Sequence, residues 1–223
     1  NINRFSMHAL YRNRLIRTFL GASNQDRRPN PFTNFATDDN PLMHTLWPAG
    51  HDVSGEKIPD SPSGEVERSW IPFHLVNIAL NVTSSRDRLE WQERKAASFT
   101  VSPLHSGSAV TGYRSSKAYG NEISLGTAIA VSGAAASPNQ GYNSSPPVAF
   151  LMAFFNVRLG WWLGNPGKSG DKTHKYEGPR NAVIPFLAEM VGMTSDTNKY
   201  VYLSDGGHFE NLGLYEMVRR RCR

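Results

Sequence analysis

The chain has 223 residues, of which 39% are hydrophobic, 11% are aromatic and one is a cysteine. This aromatic content excludes a disordered polymer, and the single cysteine excludes both an internal disulfide framework and a zinc site built on several cysteines. The formal net charge is +5, and the excess of arginine lies at the two ends of the chain. A solvated helix face or an anionic membrane surface would explain this charge, whereas nucleic acid is an unlikely partner because no recognition signature accompanies it.

The chain opens on Asn1, and its arginine-rich end at 219–223 is typical of the interior of a helix. No signal peptide is visible. We therefore expect the sequence to be a piece of a longer protein.

The first predicted element is a helix over residues 3–20, with Gly21 as its C-terminal cap. Residues 22–70 are rich in Pro, Asn, Asp, Ser and Gly, which predicts an irregular loop or a lid. Apolar residues alternate over 74–83, so we expect a buried strand there, with 97–102 as its partner.

Small residues dominate 124–137, which predicts a helix that packs close to its neighbours. The most apolar segment, 147–163, is too short to span a bilayer. One interpretation is a buried helix with an aromatic end. The other is an interfacial segment in which Trp161 and Trp162, beside Arg158, meet a membrane surface.

The last third of the chain predicts an amphipathic helix over 180–193, a short strand over 200–204 and a helix over about 211–221. Strands therefore alternate with helices along the sequence. This alternation favours an α/β layered domain with a largely parallel sheet.

The strongest chemical signal is the loop that follows the last predicted strand. Asp205 stands at the end of that strand, where sites form in parallel α/β sheets. Gly206 and Gly207 permit unusual backbone angles or the close approach of another segment. His208 either shapes this site or is a loop histidine bonded to the backbone, and Asn211 is a candidate helix cap. The open alternative is a turn in which Asp205 only hydrogen-bonds the loop backbone.

These segments together resemble the patatin-like phospholipase family and the related catalytic domain of cytosolic phospholipase A2. The Asp-Gly-Gly at 205–207 is followed by Glu-Asn-Leu, and the small-residue helix stops before Pro138, as in the family. The strand at 74–83 resembles the family's central strand. The resemblance covers about 71–223 and is closest to the large bacterial members.

The resemblance implies a three-layer α/β patatin-like sheet with flanking helices, whose N-terminal part is missing. Residues 1–21 would be a helical segment, 22–70 a loop or lid, and 71–223 the C-terminal part of the domain. The family hydrolyses acyl esters of phospholipids and other lipids with a Ser–Asp dyad. This implies that Asp205 is the general base and that no metal or other cofactor takes part. The compartment stays open, and the resemblance to bacterial members favours a cytoplasmic or membrane-associated location.

One departure from the family is plain. Its nucleophilic serine lies in a Gly-x-Ser-x-Gly elbow, and neither this motif nor the glycine-rich oxyanion loop occurs in the 223 residues. We expect both to lie upstream. The alternative is a degenerate member that serves as a non-catalytic lipid- or partner-binding module. The segment 164–169 lacks a glycine that a phosphate loop requires, and the histidine spacing does not predict a metal site.

Overall fold

The computed structural model describes residues 2–47, 72–84, 95–138 and 145–222. The predicted loop or lid therefore lies partly outside the described residues, from 48 to 70. Its described part, residues 22–47, contains two short 3-10 turns, Thr37–Asp39 and Met43–Leu46.

Six strands form one sheet: β1 Val76–Asn81, β2 Ala96–Val101, β3 His105–Ser108, β4 Gly112–Ser115, β5 Trp161–Gly164 and β6 Tyr200–Asp205. Their order across the sheet is β4-β3-β2-β1-β6-β5. The strands predicted at 74–83, 97–102 and 200–204 are confirmed. The largely parallel sheet is wrong, because all five strand pairs among the described residues are antiparallel. β2, β3 and β4 follow one another through three-residue connections, which are too short for a parallel crossover.

The α-helices are α1 His8–Leu15, α2 Gly21–Ser23, α3 Leu125–Ser132, α4 Pro146–Phe154, α5 Val183–Met190 and α6 Leu214–Arg219. The helices predicted at 124–137, 180–193 and 211–221 are confirmed as the shorter α3, α5 and α6. A π-helical turn, Ile16–Leu20, joins α1 to α2, so the predicted N-terminal helix is present but does not end at Gly21. Gly21 keeps helical angles, and a Cβ there would lie 2.9 Å from the Asp39 carboxylate. This glycine admits a close neighbour rather than ending the helix.

Residues 147–163 do not form one helix, because the chain leaves α4 and enters β5. Trp161 and Trp162 lie in β5 and are only 6% and 3% exposed. Arg158 is also buried and pairs with Glu189 of α5, with 2.7 Å between Nη1 and Oε2. The interpretation that these three residues meet a membrane surface is therefore wrong. Trp162 also donates a hydrogen bond from Nε1 to Glu189. The Glu189 carboxylate is therefore the hydrogen-bond acceptor for both Arg158 and Trp162, and the sequence analysis did not predict this contact.

The alternative of a buried helix is wrong for α4 itself. Phe154 is 63% exposed, and Val148, Phe150, Leu151 and Phe155 are exposed as well. α4 packs against α5, whose own outer side is also apolar and exposed. The structure thus buries the aromatic end of the segment, which the interfacial interpretation had expected to be exposed, and exposes much of the helix, which the other interpretation had expected to be buried.

The strand register divides the sheet into two faces. One face carries Ile78, Phe99 and Leu203, which pack in the main core with Ala128 and Val131 of α3. The other face carries Trp162 and Tyr202, against which α5 packs. The molecule is therefore a mixed α/β structure with an antiparallel sheet and helices on both faces. Each fully buried Val, Leu, Ile, Met or Phe side chain of these clusters stabilises the fold by about 1.5–3 kcal/mol.

The close packing predicted for the small-residue helix is confirmed. A Cβ on Gly126 would lie 2.5 Å from Cγ1 of Ile16, and one on Gly133 would lie 2.7 Å from the hydroxyl of Tyr11. Small residues therefore let α3 lie against α1 and the following π-helical turn. On its other side α3 contacts β1 and β6, the two strands that lead to the candidate site.

Candidate functional site

Asp205 is the last residue of β6, opposite Ile78 of β1. The chain turns directly into a 3-10 helix over Gly206–His208, and Oδ1 of Asp205 accepts a 2.7 Å hydrogen bond from the backbone N–H of Gly207. The side chain is half-buried, and its Oδ2 accepts no hydrogen bond from the described residues. One oxygen thus fixes the carboxylate, and the other is available to a proton donor that approaches from outside.

The two glycines let other groups approach this turn closely. A Cβ on Gly206 would lie 2.8 Å from the backbone oxygen of Asn77 in β1, and a Cβ on Gly207 would collide with Oδ1 of Asn211. Neither glycine has a positive φ. The sequence analysis gave two possible reasons for glycine at positions 206 and 207. The structure supports the close approach of other groups, and it does not support an unusual backbone angle.

Behind Asp205 lies a polar chain that sequence reasoning missed. Nδ2 of Asn81 donates to Oγ of Ser204 at 2.7 Å, and this hydroxyl lies 2.8 Å from Nδ1 of His208. Asn81 and Ser204 are buried, on the sheet face opposite to that of Asp205. Asn81 and Ser204 lie 123 residues apart in sequence, each as a polar residue within a mostly apolar strand. The one sequence signal that could have indicated their contact is that a polar side chain in a buried strand needs a hydrogen-bond partner.

His208 is held at both sides of its ring. Burial lowers the pKa of His208 below its ordinary value, although the charge of Asp205 and a hydrogen bond to the backbone of Ala135 act in the opposite direction. The ring is therefore neutral at neutral pH. Its Nδ1 then accepts the hydrogen bond from the Ser204 hydroxyl, which makes His208 a positioning residue for the loop.

Asn211 is not a helix cap. α6 begins after Gly213, which has a φ of +67° and no side-chain capping bond. The capping role belongs to Glu210, whose carboxylate accepts hydrogen bonds from the backbone N–H groups of Leu212 and Tyr215. The predicted helix start at Asn211 is too early, because the chain first passes through the left-handed conformation of Gly213 and becomes helical only at Leu214. An acidic residue just before a helix is the signal that could have indicated Glu210.

Neither a metal nor a bilayer span is indicated among the described residues. They contain no group of three His, Cys, Asp or Glu side chains that could hold a metal ion. None of their helices combines the length and the hydrophobicity needed to cross a bilayer.

Searches of protein-family models, curated proteins and solved structures found nothing that matches this chain.

Proposed function

We propose that this chain contributes the general base of a serine acyl hydrolase that acts on phospholipids or other lipid esters. Asp205 is the base. The observation that carries this proposal is the carboxylate at a strand end, fixed through Oδ1 by Gly207 and free of hydrogen bonds from the described residues at Oδ2. A carboxylate held in this way can take a proton from a hydroxyl group within hydrogen-bond reach.

A patatin-like fold is part of the same proposal. Three observations support it: the helices on both faces of the sheet, the small-residue helix α3 beside β1 and β6, and the Asp-Gly-Gly turn at the end of β6. The nucleophilic serine would come from a segment outside the 223 residues, since they contain no Gly-x-Ser-x-Gly.

The proposed reaction proceeds in two steps. Asp205 takes the proton of the serine hydroxyl as its oxygen attacks the acyl carbonyl, and the protonated carboxyl then returns this proton to the departing alcohol. In the second step Asp205 takes a proton from water, whose oxygen attacks the acyl carbonyl of the acyl-enzyme. The bond between the acyl carbon and the serine oxygen then breaks, and Asp205 returns the proton to that oxygen, which releases the fatty acid and restores both the serine hydroxyl and the carboxylate. The hydrogen-bonded chain Asn81–Ser204–His208, whose first two residues are buried, holds the loop that carries the carboxylate.

The test is Asp205→Asn in the protein that includes the upstream segment. Asparagine keeps an oxygen for the Gly207 N–H but cannot take a proton, so we expect ester hydrolysis to fall by about 100-fold or more with an unchanged thermal midpoint. Asp26→Asn is the matched control, because Asp26 is exposed and lies far from Asp205 in the sequence. Turnover at the wild-type rate in Asp205→Asn would contradict the proposal.

The second candidate is a non-catalytic lipid- or partner-binding module, and a specific observation favours it. α4 and α5, together with the residues that directly follow each helix, present exposed apolar side chains, which we call the α4–α5 face. Its exposed residues are Val148, Phe150, Leu151, Phe154, Phe155, Val183, Ile184, Leu187, Val191 and Met193. Exposed apolar patches of this kind mark interaction sites, and a lipid surface is the occupant that we propose for it.

Vesicle binding distinguishes the two candidates. Phe154→Ser combined with Ile184→Ser should weaken binding to phosphatidylglycerol vesicles, because it removes two exposed apolar groups. Phe32→Ser is the control, since Phe32 is 97% exposed but lies in another part of the chain. Vesicle binding without any ester hydrolysis by the protein with its upstream segment would favour the module. Equal binding by both variants and the wild type would exclude the α4–α5 face as the contact.

A further inference from the structure

A second site lies where the C-terminal end of α6 meets β2 and β4. An open cavity of about 760 Å³ is present there, and its lining residues include Phe73, Leu104, Tyr113, Arg219 and Arg220. This volume is in the range of small-molecule sites, which combine apolar walls with a few fixed polar groups. No acidic residue lines the described part of the cavity.

A buried carboxylate holds the two arginines in place. Glu216 accepts hydrogen bonds from Nη2 of Arg219 at 2.8 Å, from Nε of Arg220 at 3.0 Å and from the Ser98 hydroxyl at 2.7 Å. Burial raises the pKa of Glu216, but these hydrogen bonds outweigh it, so its pKa lies below the ordinary value. One ionised carboxylate between two guanidinium groups leaves a net positive charge at the cavity.

Each arginine also has a second anchor. Nη2 of Arg219 donates to the Tyr113 hydroxyl at 2.5 Å, and Nη2 of Arg220 donates to Oγ1 of Thr100 at 3.1 Å. The Nη1 group of each makes no hydrogen bond to the described residues. Two fixed guanidinium groups therefore retain donors, in the planar geometry that suits phosphate oxygens.

We propose that this cavity binds a phosphate group, whose oxygens accept hydrogen bonds from Arg219 and Arg220. An apolar group attached to the phosphate would lie against Phe73 and Leu104. A lipid headgroup and a free phosphate ester share this chemistry. This phosphate site does not depend on the proposed hydrolase activity. α6 contacts the sheet face that carries Ser98, whereas Asp205 lies on the opposite face, with Ile78.

The test is calorimetric titration of the full chain with inorganic phosphate. Arg219→Gln and Arg220→Gln should each weaken binding by about tenfold or more, since each removes a charge-assisted hydrogen bond. Arg221→Gln is the matched control, because it removes the same charge from an exposed neighbour outside the cavity lining. Wild-type affinity in the first two variants, or an equal loss in the third, overturns the proposal, as does the absence of phosphate binding by the wild type.

The glutamine variants could unfold, because each leaves Glu216 with one arginine. Arg219→Lys combined with Arg220→Lys keeps both charges beside the carboxylate but removes the guanidinium donors. We expect this folded variant to bind phosphate about threefold more weakly or worse. Unchanged affinity in it would also overturn the proposal.

Phe73→Ala identifies the source of the phosphate. If the natural ligand is a lipid headgroup, this variant should weaken binding to micelles of lysophosphatidic acid and leave inorganic phosphate binding unchanged. If the ligand is a free phosphate ester without an apolar chain, the micelles should bind through their phosphate groups alone, so Phe73→Ala should change the affinity for neither probe. Both results support the phosphate site, whereas an equal loss for both probes would show that Phe73 shapes the fold of the site and would contradict its assigned role.

Discussion

The hydroxyl of Ser204 lies 2.8 Å from Nδ1 of His208, and this contact connects the end of β6 to the turn that follows Asp205. Asn81 donates to the same hydroxyl from the neighbouring strand β1. Since Ser204 is fully buried, its hydroxyl cannot meet a substrate. Its role is to hold His208, and with it the backbone on which the carboxylate stands.

The first prediction follows from this relationship. Ser204→Ala removes both the acceptor for Asn81 Nδ2 and the donor to His208, so we expect the free energy of unfolding to fall by about 1–3 kcal/mol. Urea denaturation at neutral pH measures this change. Ser23→Ala is the control, because Ser23 is exposed and its hydroxyl bonds only locally to Leu20, and its effect should stay within about 0.5 kcal/mol. Equal stability of the two variants would show that the Ser204 contact does not support the fold.

The individual strands could be predicted from the sequence, but the direction of their pairing could not. Alternation over 74–83 is a local signal and gave β1 correctly. The direction of a sheet depends on how the chain returns, and the short connections before and after β3 force antiparallel pairing. Likewise, the apolar character of 147–163 is local, whereas the partner of Arg158 is Glu189, on a helix elsewhere in the chain.

The same distinction holds for the candidate site. Asp205, Gly206 and Gly207 are contiguous, so the sequence could indicate them as a turn after a strand. Asn81 and Ser204 meet only because β1 and β6 are neighbours in the sheet, and no local pattern contains that information. The assignment to the patatin-like family stays a prediction, as does the hydrolase activity.

The second prediction concerns why glycine occupies both positions after Asp205. In Gly207→Ala the new methyl group meets the Asn211 side chain, so the added change Asn211→Ala should restore most of the lost stability. In Gly206→Ala the methyl group meets the backbone oxygen of Asn77, which cannot move without shifting β1, and Asn211→Ala should not rescue it. Thermal unfolding of the four variants measures the difference. Rescue of both glycine variants by Asn211→Ala, or of neither, would contradict this explanation.

The last prediction is a pH dependence from His8 in α1. Its Nδ1 lies 2.6 Å from the Leu159 oxygen, and its ring lies against Trp161. Burial lowers the pKa of His8 to about 4. The hydrogen bond to Leu159 acts in the opposite direction, and the charge of Arg12 lowers the pKa slightly further. Between pH 6.5 and 4 the unfolded chain takes up a proton that the folded chain does not, so acid should lower stability by up to about 3 kcal/mol. His8→Asn, measured by urea denaturation at pH 7.5 and 4.5, should remove that part of the loss, whereas exposed His105→Asn should retain it. An identical acid loss in both variants would show that His8 is not its source.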